Sequence, residues 1–267
     1  MLNILRYGFM QQALLAIVAM SLFAPILGIF LILRRQSLLS DTLGHVSLAG
    51  VALGVLTGIS PTWSTILVVI LASILLDYIG TIYRSFLELG TAILMSMGLA
   101  VAMIVMSRTS SSSISLEKYL FGSVVTISWQ QVIALFVMAL IIVALTVLCF
   151  RPMYILTFDP DIAFSEGMRV RAVSIAFNIL TGIAISLMIP AVGALLVSTI
   201  IILPASIALQ LGKSFRSVIC AGILICLTGM TAGIFASYYA ETPASATITI
   251  LFIAMFAAVS LIRKRNK

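Results

Sequence analysis

The sequence predicts an all-α fold, a polytopic bundle of transmembrane helices. Of its 267 residues, 62% are hydrophobic and only 9% are charged, against about 25% charged residues in an ordinary soluble domain. Long charge-free stretches follow: 27 residues between Arg6 and Arg34, 32 between Lys118 and Arg151, and 41 between Arg171 and Lys213. Since a helix needs roughly 20 apolar residues to cross a bilayer, the first two stretches each hold one span and the third can hold two.

Charges and turn residues divide the chain into nine spans within a single transmembrane domain, residues 1–267. Segments such as LLAIVAMSLFAPILGIFLIL are apolar on all sides, which favours helices over the alternating strands of a membrane β-barrel. The spans are predicted at about 13–33, 41–58, 62–80, 90–107, 130–150, 172–189, 191–210, 217–239 and 243–262. The boundary at Pro190 is the weakest, because a partly re-entrant segment there would reduce the count to eight.

Basic residues predict the orientation, because Lys and Arg are enriched in cytoplasmic loops. If the RRQ sequence after the first span is inside, only Arg6, Arg108 and Lys118 of the 15 basic residues lie outside. We therefore expect an external N-terminus and a cytoplasmic C-terminus. The net charge of +7 belongs to these loops, so we expect no nucleic-acid partner.

The external connection, residues 107–128, begins with a serine run and continues into an amphipathic stretch. A solvated loop is the favoured interpretation of this segment. The alternative is a segment that lies at the membrane interface or contacts a partner.

The cytoplasmic connection, residues 151–171, carries the signals of a short helix at about 160–166. These are Asp159 as the cap, Pro160 and Asp161 in the first turn, and Gly167 as a left-handed stop. Ile162, Ala163 and Phe164 give the helix an apolar part that must be buried. It packs either on its own bundle or on a separate cytoplasmic protein.

His45, the single histidine, lies four positions after Asp41 in the second span. At this spacing two side chains share one helix face and can converge on one ion. A carboxylate and an imidazole suit zinc, manganese or iron, and two ligands alone would let the ion leave. In the alternative, Ser40 or Asp41 caps the helix and His45 is hydrogen-bonded inside the bundle. Asp77, near the cytoplasmic end of the third span, receives a structural interpretation.

Other classes of protein fit poorly. Neither HExxH nor GxSxG occurs, and LGKS at 211–214 has Ile207 where a phosphate-binding loop needs glycine. We therefore expect no enzymatic activity and no ATP binding. A secondary transporter often carries further intramembrane acids, which this chain lacks apart from the Asp41–His45 pair.

Gly50 and Gly54 form a G-x-x-x-G pair that predicts close helix packing, either within the chain or in a dimer.

Four ordered stretches resemble the bacterial metal-ion ABC permeases, the zinc, manganese and iron uptake group. They are LRRQSLLSDTLGHVSLAGVALG (33–54), LEKYLFGSV (116–124), FDPDIAFSEGM (158–168) and VGALLVSTIIILPAS (192–206). The sequence DTLGHVSLAG is more similar to the motif of the zinc-type members than to the manganese-type pattern DALSHAVLPG. The resemblance spans nearly the whole chain.

The resemblance implies a bacterial plasma-membrane importer of two permease copies and two cytoplasmic ATPase subunits, fed by an extracellular or periplasmic metal-binding protein or lipoprotein. It makes Asp41 and His45 ligands on the translocation path and the 160–166 helix a coupling helix seated on the ATPase. The implied coupling residues are Asp159, Asp161, Ala163, Phe164, Glu166 and Gly167. The ion is a transported substrate, zinc ahead of manganese or iron, and no cofactor is bound permanently. Outside the family, the alternative is a secondary metal transporter that is not driven by ATP.

Overall fold

A computed structural model describes residues 8–82, 87–108, 119–120, 122, 127–158, 160–165 and 170–265, and the regular secondary structure of these residues is entirely α-helical. The helices, numbered in chain order, are α1 (Gly8–Leu33), α2 (Leu39–Thr57), α3 (Pro61–Ile82), α4 (Leu87–Arg108), α5 (Trp129–Leu148), α6 (Phe150–Phe158), α7 (Pro160–Ser165), α8 (Val170–Val192), α9 (Ala194–Leu211), α10 (Phe215–Ala240) and α11 (Ala244–Arg265). Within this part of the chain, 9 helices, all except α6 and α7, are long and apolar enough to cross a membrane. The all-α fold and the predicted nine spans are confirmed.

The boundary between α8 and α9 lies at Gly193 and not at Pro190, where the sequence predicts it. Proline inside a helix removes one backbone donor, yet the N–H of Gly193 still bonds to the carbonyl of Ile189 at 2.8 Å, so α8 continues past the proline. Gly193 has φ +85°, a conformation that glycine adopts without steric cost. The chain therefore changes direction at the glycine, and both helices keep a full membrane-spanning length.

The centre of the bundle consists of α1 and α2. Their most apolar windows are 78% and 72% buried, against 28% for α3, α4 and α5. α1 contacts α5, α9 and α10, whereas α2 contacts α3, α4 and α9. The outer helices expose large apolar side chains such as Leu67, Leu140 and Ile250. Helices that are apolar on all sides and expose such side chains are suited to contact with lipid. The central position of α2 puts Asp41 and His45 within the bundle, where both side chains are partly buried.

Glycines allow the backbones of the central helices to approach their neighbours. A Cβ at Gly28 of α1 would overlap the carbonyl oxygen of Ile201 in α9. In α2, a Cβ at Gly50 would lie 2.5 Å from Cα of Thr65, and one at Gly54 would lie 2.9 Å from Cα of Pro61. The G-x-x-x-G pair therefore packs α2 on α3 within the chain, which resolves the alternative that the sequence leaves open.

We expect Gly28→Ala to destabilise the protein severely, because the added methyl group would meet backbone that cannot rotate away. The loss should exceed the roughly 1–3 kcal/mol of ordinary overpacking. Gly8→Ala is the matched control, since a Cβ at Gly8 has no atom within 4 Å. The measurement is the melting temperature of each variant in detergent. Equal melting temperatures for Gly28→Ala and the wild type would contradict the close contact of α1 with α9.

Candidate functional site

The first two turns of α2 lie beside the middle of α8. A Cβ at Gly182, near the centre of the 23-residue α8, would lie 3.5 Å from Cδ1 of Leu43. Arg34, just before α2, instead bonds Ser174 near the start of α8, with its Nη2 donating to Oγ at 2.5 Å. Ser174 and Gly182 are about 12 Å apart along the helix at 1.5 Å per residue. The connecting turn, residues 34–38, therefore leads into the bundle, and α2 begins well inside it.

Asp41 is joined to a second helix by a hydrogen bond. The hydroxyl of Ser198 in α9 donates to Oδ1 of Asp41 at 3.0 Å. Both side chains are partly buried. The bond holds one carboxylate oxygen and leaves Oδ2 free of this contact, so the carboxylate keeps an oxygen for another ligand.

Ser198 is a candidate site residue that the sequence alone does not identify. It lies within the stretch VGALLVSTIIILPAS that carries the family resemblance. Serine is frequent in apolar helices, however, and usually bonds to its own helix backbone. Only the arrangement of α2 against α9 distinguishes Ser198 from the other serines of the spans.

Nδ1 of His45 is buried and has no hydrogen-bond partner among the described residues. A buried imidazole nitrogen normally has a partner, because leaving a polar atom unsatisfied costs about 1–3 kcal/mol. In the neutral ring with its proton on Nε2, Nδ1 carries a lone pair that can bind a metal ion. His45 stands one helical turn from Asp41, so both side chains lie on the same face of α2.

The capping alternative for Ser40 and Asp41 is wrong. The residue before α2 is Leu38, and no side chain there makes a cap hydrogen bond. The hydroxyl of Ser40 donates to the carbonyl of Ser37 at 3.1 Å, and Asp41 accepts from Ser198 on another helix. Side-chain capping therefore does not account for the acid in this position, the third residue of α2.

Two glycines shape the surroundings of the pair. Gly44 is buried, yet a Cβ built on it would meet no atom within 4 Å, so there is space beside α2 between Asp41 and His45. On the neighbouring helix α4, a Cβ at Gly98 would lie 2.8 Å from Cα of Val46 and 3.1 Å from the carbonyl carbon of His45. Backbone contact with α4 thus holds α2 in place while the space at Gly44 stays open.

Apolar packing covers the C-terminal half of α2. Leu48, Ala49 and Ala52 form a buried cluster with Ala102 of α4, and the side chains of Tyr119 and Leu120 pack against it. Gly122, with φ +68°, approaches the backbone of Val192 and Gly193 so closely that a Cβ would overlap it. The described part of the 107–128 connection is therefore packed on the bundle, unlike the solvated loop that the sequence favours.

No further strong ligand joins the pair in the part of the chain that the structure describes. Those residues contain no group of three or more His, Cys, Asp or Glu side chains that could hold a metal ion. Ser198 adds a hydroxyl oxygen next to Asp41. One copy of the chain thus offers a carboxylate, an imidazole nitrogen and a hydroxyl, a set that suits a divalent transition metal without enclosing it.

The predicted cytoplasmic helix is present as α7, Pro160–Ser165. Ala163 is fully buried against its own chain, where α7 contacts α6 and α8, and the side chain of Ile162 is 50% exposed. Asp159, Glu166 and Gly167 lie outside the described residues, as do the side chains of Asp161 and Phe164. The apolar part of the helix is therefore divided between the bundle and an exposed surface.

Aromatic rings connect α6 to α1 and α8. The ring centroid of Phe215, at the start of α10, lies 5.5 Å from that of Phe30, 5.4 Å from that of Phe150 and 5.5 Å from that of Tyr154. Phe30 in turn meets Phe177 of α8 edge-on at 6.0 Å. These five rings, the aromatic cluster, bring the end of α1 and the starts of α6, α8 and α10 to one end of the bundle.

Arg34 extends the aromatic cluster towards α2. Its guanidinium carbon lies 5.1 Å from the ring centroid of Phe177, within range of a cation–π interaction. Burial lowers the pKa of Arg34 to about 10, and the nearby carboxylate of Asp77 in α3 opposes that shift. The side chain stays cationic at neutral pH. Asp77 thus compensates a buried charge, in keeping with the structural role that its position in the sequence suggests.

Comparisons with known proteins agree in sequence and in fold. ZnuB, the high-affinity zinc uptake system membrane protein of Buchnera aphidicola subsp. Schizaphis graminum, is 31% identical over 241 residues, which cover 89% of this chain and 91% of that protein. ScaB, the manganese import system permease protein of Streptococcus parasanguinis, is 28% identical over 267 residues, with coverage of 98% and 94%. The structure of PsaBC from Streptococcus pneumoniae in complex with Fab aligns with a TM-score of 0.86 at 25% identity, covering 96% of this chain and 92% of that one.

The family comparison covers nearly the whole molecule. The model of the ABC 3 transport family matches residues 6–263, a range that reaches all nine apolar helices and includes Asp41, His45, Ser198 and α7. The resemblance to ABC permeases found in four stretches of the sequence is confirmed. This chain belongs to the ABC 3 transport family.

Proposed function

We propose that this chain is the membrane permease of an ATP-driven importer of a divalent transition metal, with zinc as the first candidate substrate. The observation that carries the proposal is the buried Nδ1 of His45, one turn from Asp41, which has no hydrogen-bond partner among the residues that the structure describes. Membership of the ABC 3 transport family and relatives named for zinc uptake and manganese import support this class of function.

Asp41, His45 and Ser198 act together on the passing ion. The carboxylate of Asp41 offsets the loss of hydration of a doubly charged ion, and His45 supplies a nitrogen ligand from the next turn of α2. Ser198 fixes the orientation of Asp41 by its hydrogen bond at 3.0 Å, as partners of metal ligands do elsewhere. The remaining positions on the ion are left for water or for groups of a second permease copy. Such partial ligation binds the ion and still lets it leave.

Zinc is proposed ahead of manganese and iron because the sequence DTLGHVSLAG around Asp41 and His45 resembles the zinc-type members of the family. An imidazole nitrogen suits zinc, while the carboxylate also suits manganese. The relatives are divided between the two metals, so metal-resolved uptake decides among them. A secondary transporter would differ in one respect: its uptake would continue when ATP is depleted and the ion gradients are kept.

Coupling to ATP hydrolysis takes place at α7 in this proposal. The exposed Ile162 offers an apolar contact to a cytoplasmic ATPase subunit, and the buried Ala163 joins that contact to the bundle. Asp159, Asp161, Phe164, Glu166 and Gly167 complete the proposed coupling segment. Movement of α7 would reach α1 and α8 through α6 and the aromatic cluster.

The rest of the assembly follows the family pattern that the sequence resembles. Residues 1–267 act as a single permease domain that pairs with a second copy in a bacterial plasma membrane. The basic residues near the aromatic cluster, Arg34, Arg151 and Arg216 among them, support a cytoplasmic location for this end and an external N-terminus. A metal-binding protein or lipoprotein would deliver the ion to the opposite end.

We expect Asp41→Ala and His45→Ala each to reduce metal uptake by more than about tenfold, since outer partners of metal ligands alone are worth 10–100-fold. The measurement is uptake of radioactive zinc, manganese and iron by cells that carry each variant in place of the wild-type gene. Ser47→Ala is the control, because this buried hydroxyl on α2 donates to the carbonyl of Gly44 on the same helix. Normal zinc, manganese and iron uptake by both variants, at normal membrane abundance, would refute the site.

Ser198→Ala should raise the KM for metal by roughly 10–100-fold and change the maximal rate less, because it removes the group that orients Asp41 and leaves both ligands in place. Ser198→Thr keeps a hydroxyl and should restore most of the affinity. Uptake against metal concentration in reconstituted vesicles separates KM from the rate. An unchanged KM in Ser198→Ala would show that the hydrogen bond has no part in binding.

Ile162→Asp should abolish metal-stimulated ATP hydrolysis and the co-purification of the ATPase subunit, because it places a charge on the apolar exposed surface of α7. The folded permease should survive, since the side chain is 50% exposed. Ile162→Leu keeps an apolar side chain of equal size and serves as the matched control. Wild-type ATPase binding by Ile162→Asp would place the coupling contact elsewhere.

A further inference from the structure

A cavity of about 280 Å³ lies beside the turn between α1 and α2. Its polar wall consists of Arg34, Arg35 and Gln36 from the turn, Thr157 of α6 and Ser174 of α8, and three apolar side chains complete the lining. We call it the basic cavity. The volume is sufficient for a phosphate group, and none of the lining residues is acidic.

Two buried polar atoms at the basic cavity have no hydrogen-bond partner among the described residues. They are Nη1 of Arg34 and Oε1 of Gln36. Nη2 of Arg34 already donates to the hydroxyl of Ser174, so that hydroxyl keeps its own proton for another acceptor. An unpaired buried donor on a charged group is costly, and an anionic acceptor in the cavity would relieve this cost at Arg34. Oε1 of Gln36 is itself an acceptor and would not bind such a group.

Arg35 has a strained backbone at the mouth of the basic cavity. Its φ of +56° lies in the left-handed region, which side chains other than glycine and asparagine seldom adopt. Such strain persists where surrounding structure or function requires it. The side chain of Arg35 is exposed and lines the cavity, so it brings a second guanidinium to the same space.

We propose that the basic cavity binds a phosphate-type anionic group, as the headgroup of an anionic phospholipid or as a free phosphate. Two guanidinium groups present several donors to the oxygens of such a group, and arginine matches phosphate geometry in pairs of hydrogen bonds. Asp77 of α3 faces Arg34 from outside the lining and neutralises one of the two charges. One net positive charge remains. Arg34 is cationic at neutral pH, since its pKa stays near 10 despite burial.

The location of the basic cavity gives its occupant a structural role. Its walls belong to the turn that leads to Asp41 and to α6 and α8, which flank α7. An anion bound there would brace the turn between these helices. Basic pockets between membrane helices on the cytoplasmic side are known sites for anionic lipid headgroups. The proposal concerns anion binding alone and is independent of the metal site.

The test compares the full-length wild type with Arg35→Asn and Arg216→Asn. Asparagine tolerates the left-handed backbone, so Arg35→Asn removes the charge without refolding the turn. Arg216 is an exposed arginine of α10 near the aromatic cluster and does not line the basic cavity. Each protein is reconstituted in phosphatidylcholine alone, in phosphatidylcholine with phosphatidylglycerol, and in phosphatidylcholine with inorganic phosphate. Native mass spectrometry measures retained phosphatidylglycerol, and melting temperature measures the effect of phosphate.

We expect the wild type to retain phosphatidylglycerol or to gain melting temperature with phosphate, and the probe that acts identifies the source of the group. Arg35→Asn should bind that probe about tenfold more weakly, as expected for one charged hydrogen-bonding group, and Arg216→Asn should match the wild type. The proposal is overturned if neither probe acts on the wild type. It is equally overturned if Arg35→Asn binds like the wild type or both variants lose binding alike.

Discussion

The structure depends on one constraint: a polar group inside an apolar bundle must find its partner within the protein. Most hydroxyls meet it locally. Thr146 donates to the carbonyl of Ile142 at 2.7 Å and Ser186 to that of Gly182 at 2.9 Å, each one turn earlier in its own helix. Ser198 is different, because it donates across to Asp41 on α2. A carboxylate in this interior is held by a second helix, which ties the candidate metal site to the packing of α2 against α9.

Three exceptions to this constraint, on Arg34, Gln36 and His45, lie on one segment of the chain. Nη1 of Arg34 and Nδ1 of His45 are both buried without a partner among the described residues. Arg34 directly follows α1, and His45 lies in the second turn of α2. Each carries the chemistry of a ligand site, a cation for anions in one case and a lone pair for metal ions in the other. The same segment contacts α8 through Ser174 and the aromatic cluster through Phe177. Any movement of α6 and α8 would therefore be transmitted to the candidate ligands Asp41 and His45.

Sequence reasoning succeeded where a single property varies along the chain. Charge-free length placed nine spans, because crossing a bilayer imposes a minimum on apolar residues. The short helix Pro160–Ser165 was also predictable, since caps and prolines act within a few residues. The position of the break between α8 and α9 was not predictable in this way. Proline costs one hydrogen bond, which a packed bundle tolerates, whereas the φ of +85° at Gly193 depends on the surrounding helices. The packing of Gly50 and Gly54 on α3 likewise needed the partner helix.

The sequence by itself determined the helical membrane fold, the likeness to its family and the placement of Asp41 and His45 on one face of a helix. These follow from composition and from spacings of a few residues, which physical chemistry converts directly into local structure. Only the tertiary structure decided that Ser198 bonds Asp41, that Nδ1 of His45 lacks a partner in the described part of the chain, and that Arg34, Arg35 and Gln36 line a cavity. Such contacts join residues far apart in the chain. They depend on how helices are arranged, and no local pattern encodes that arrangement.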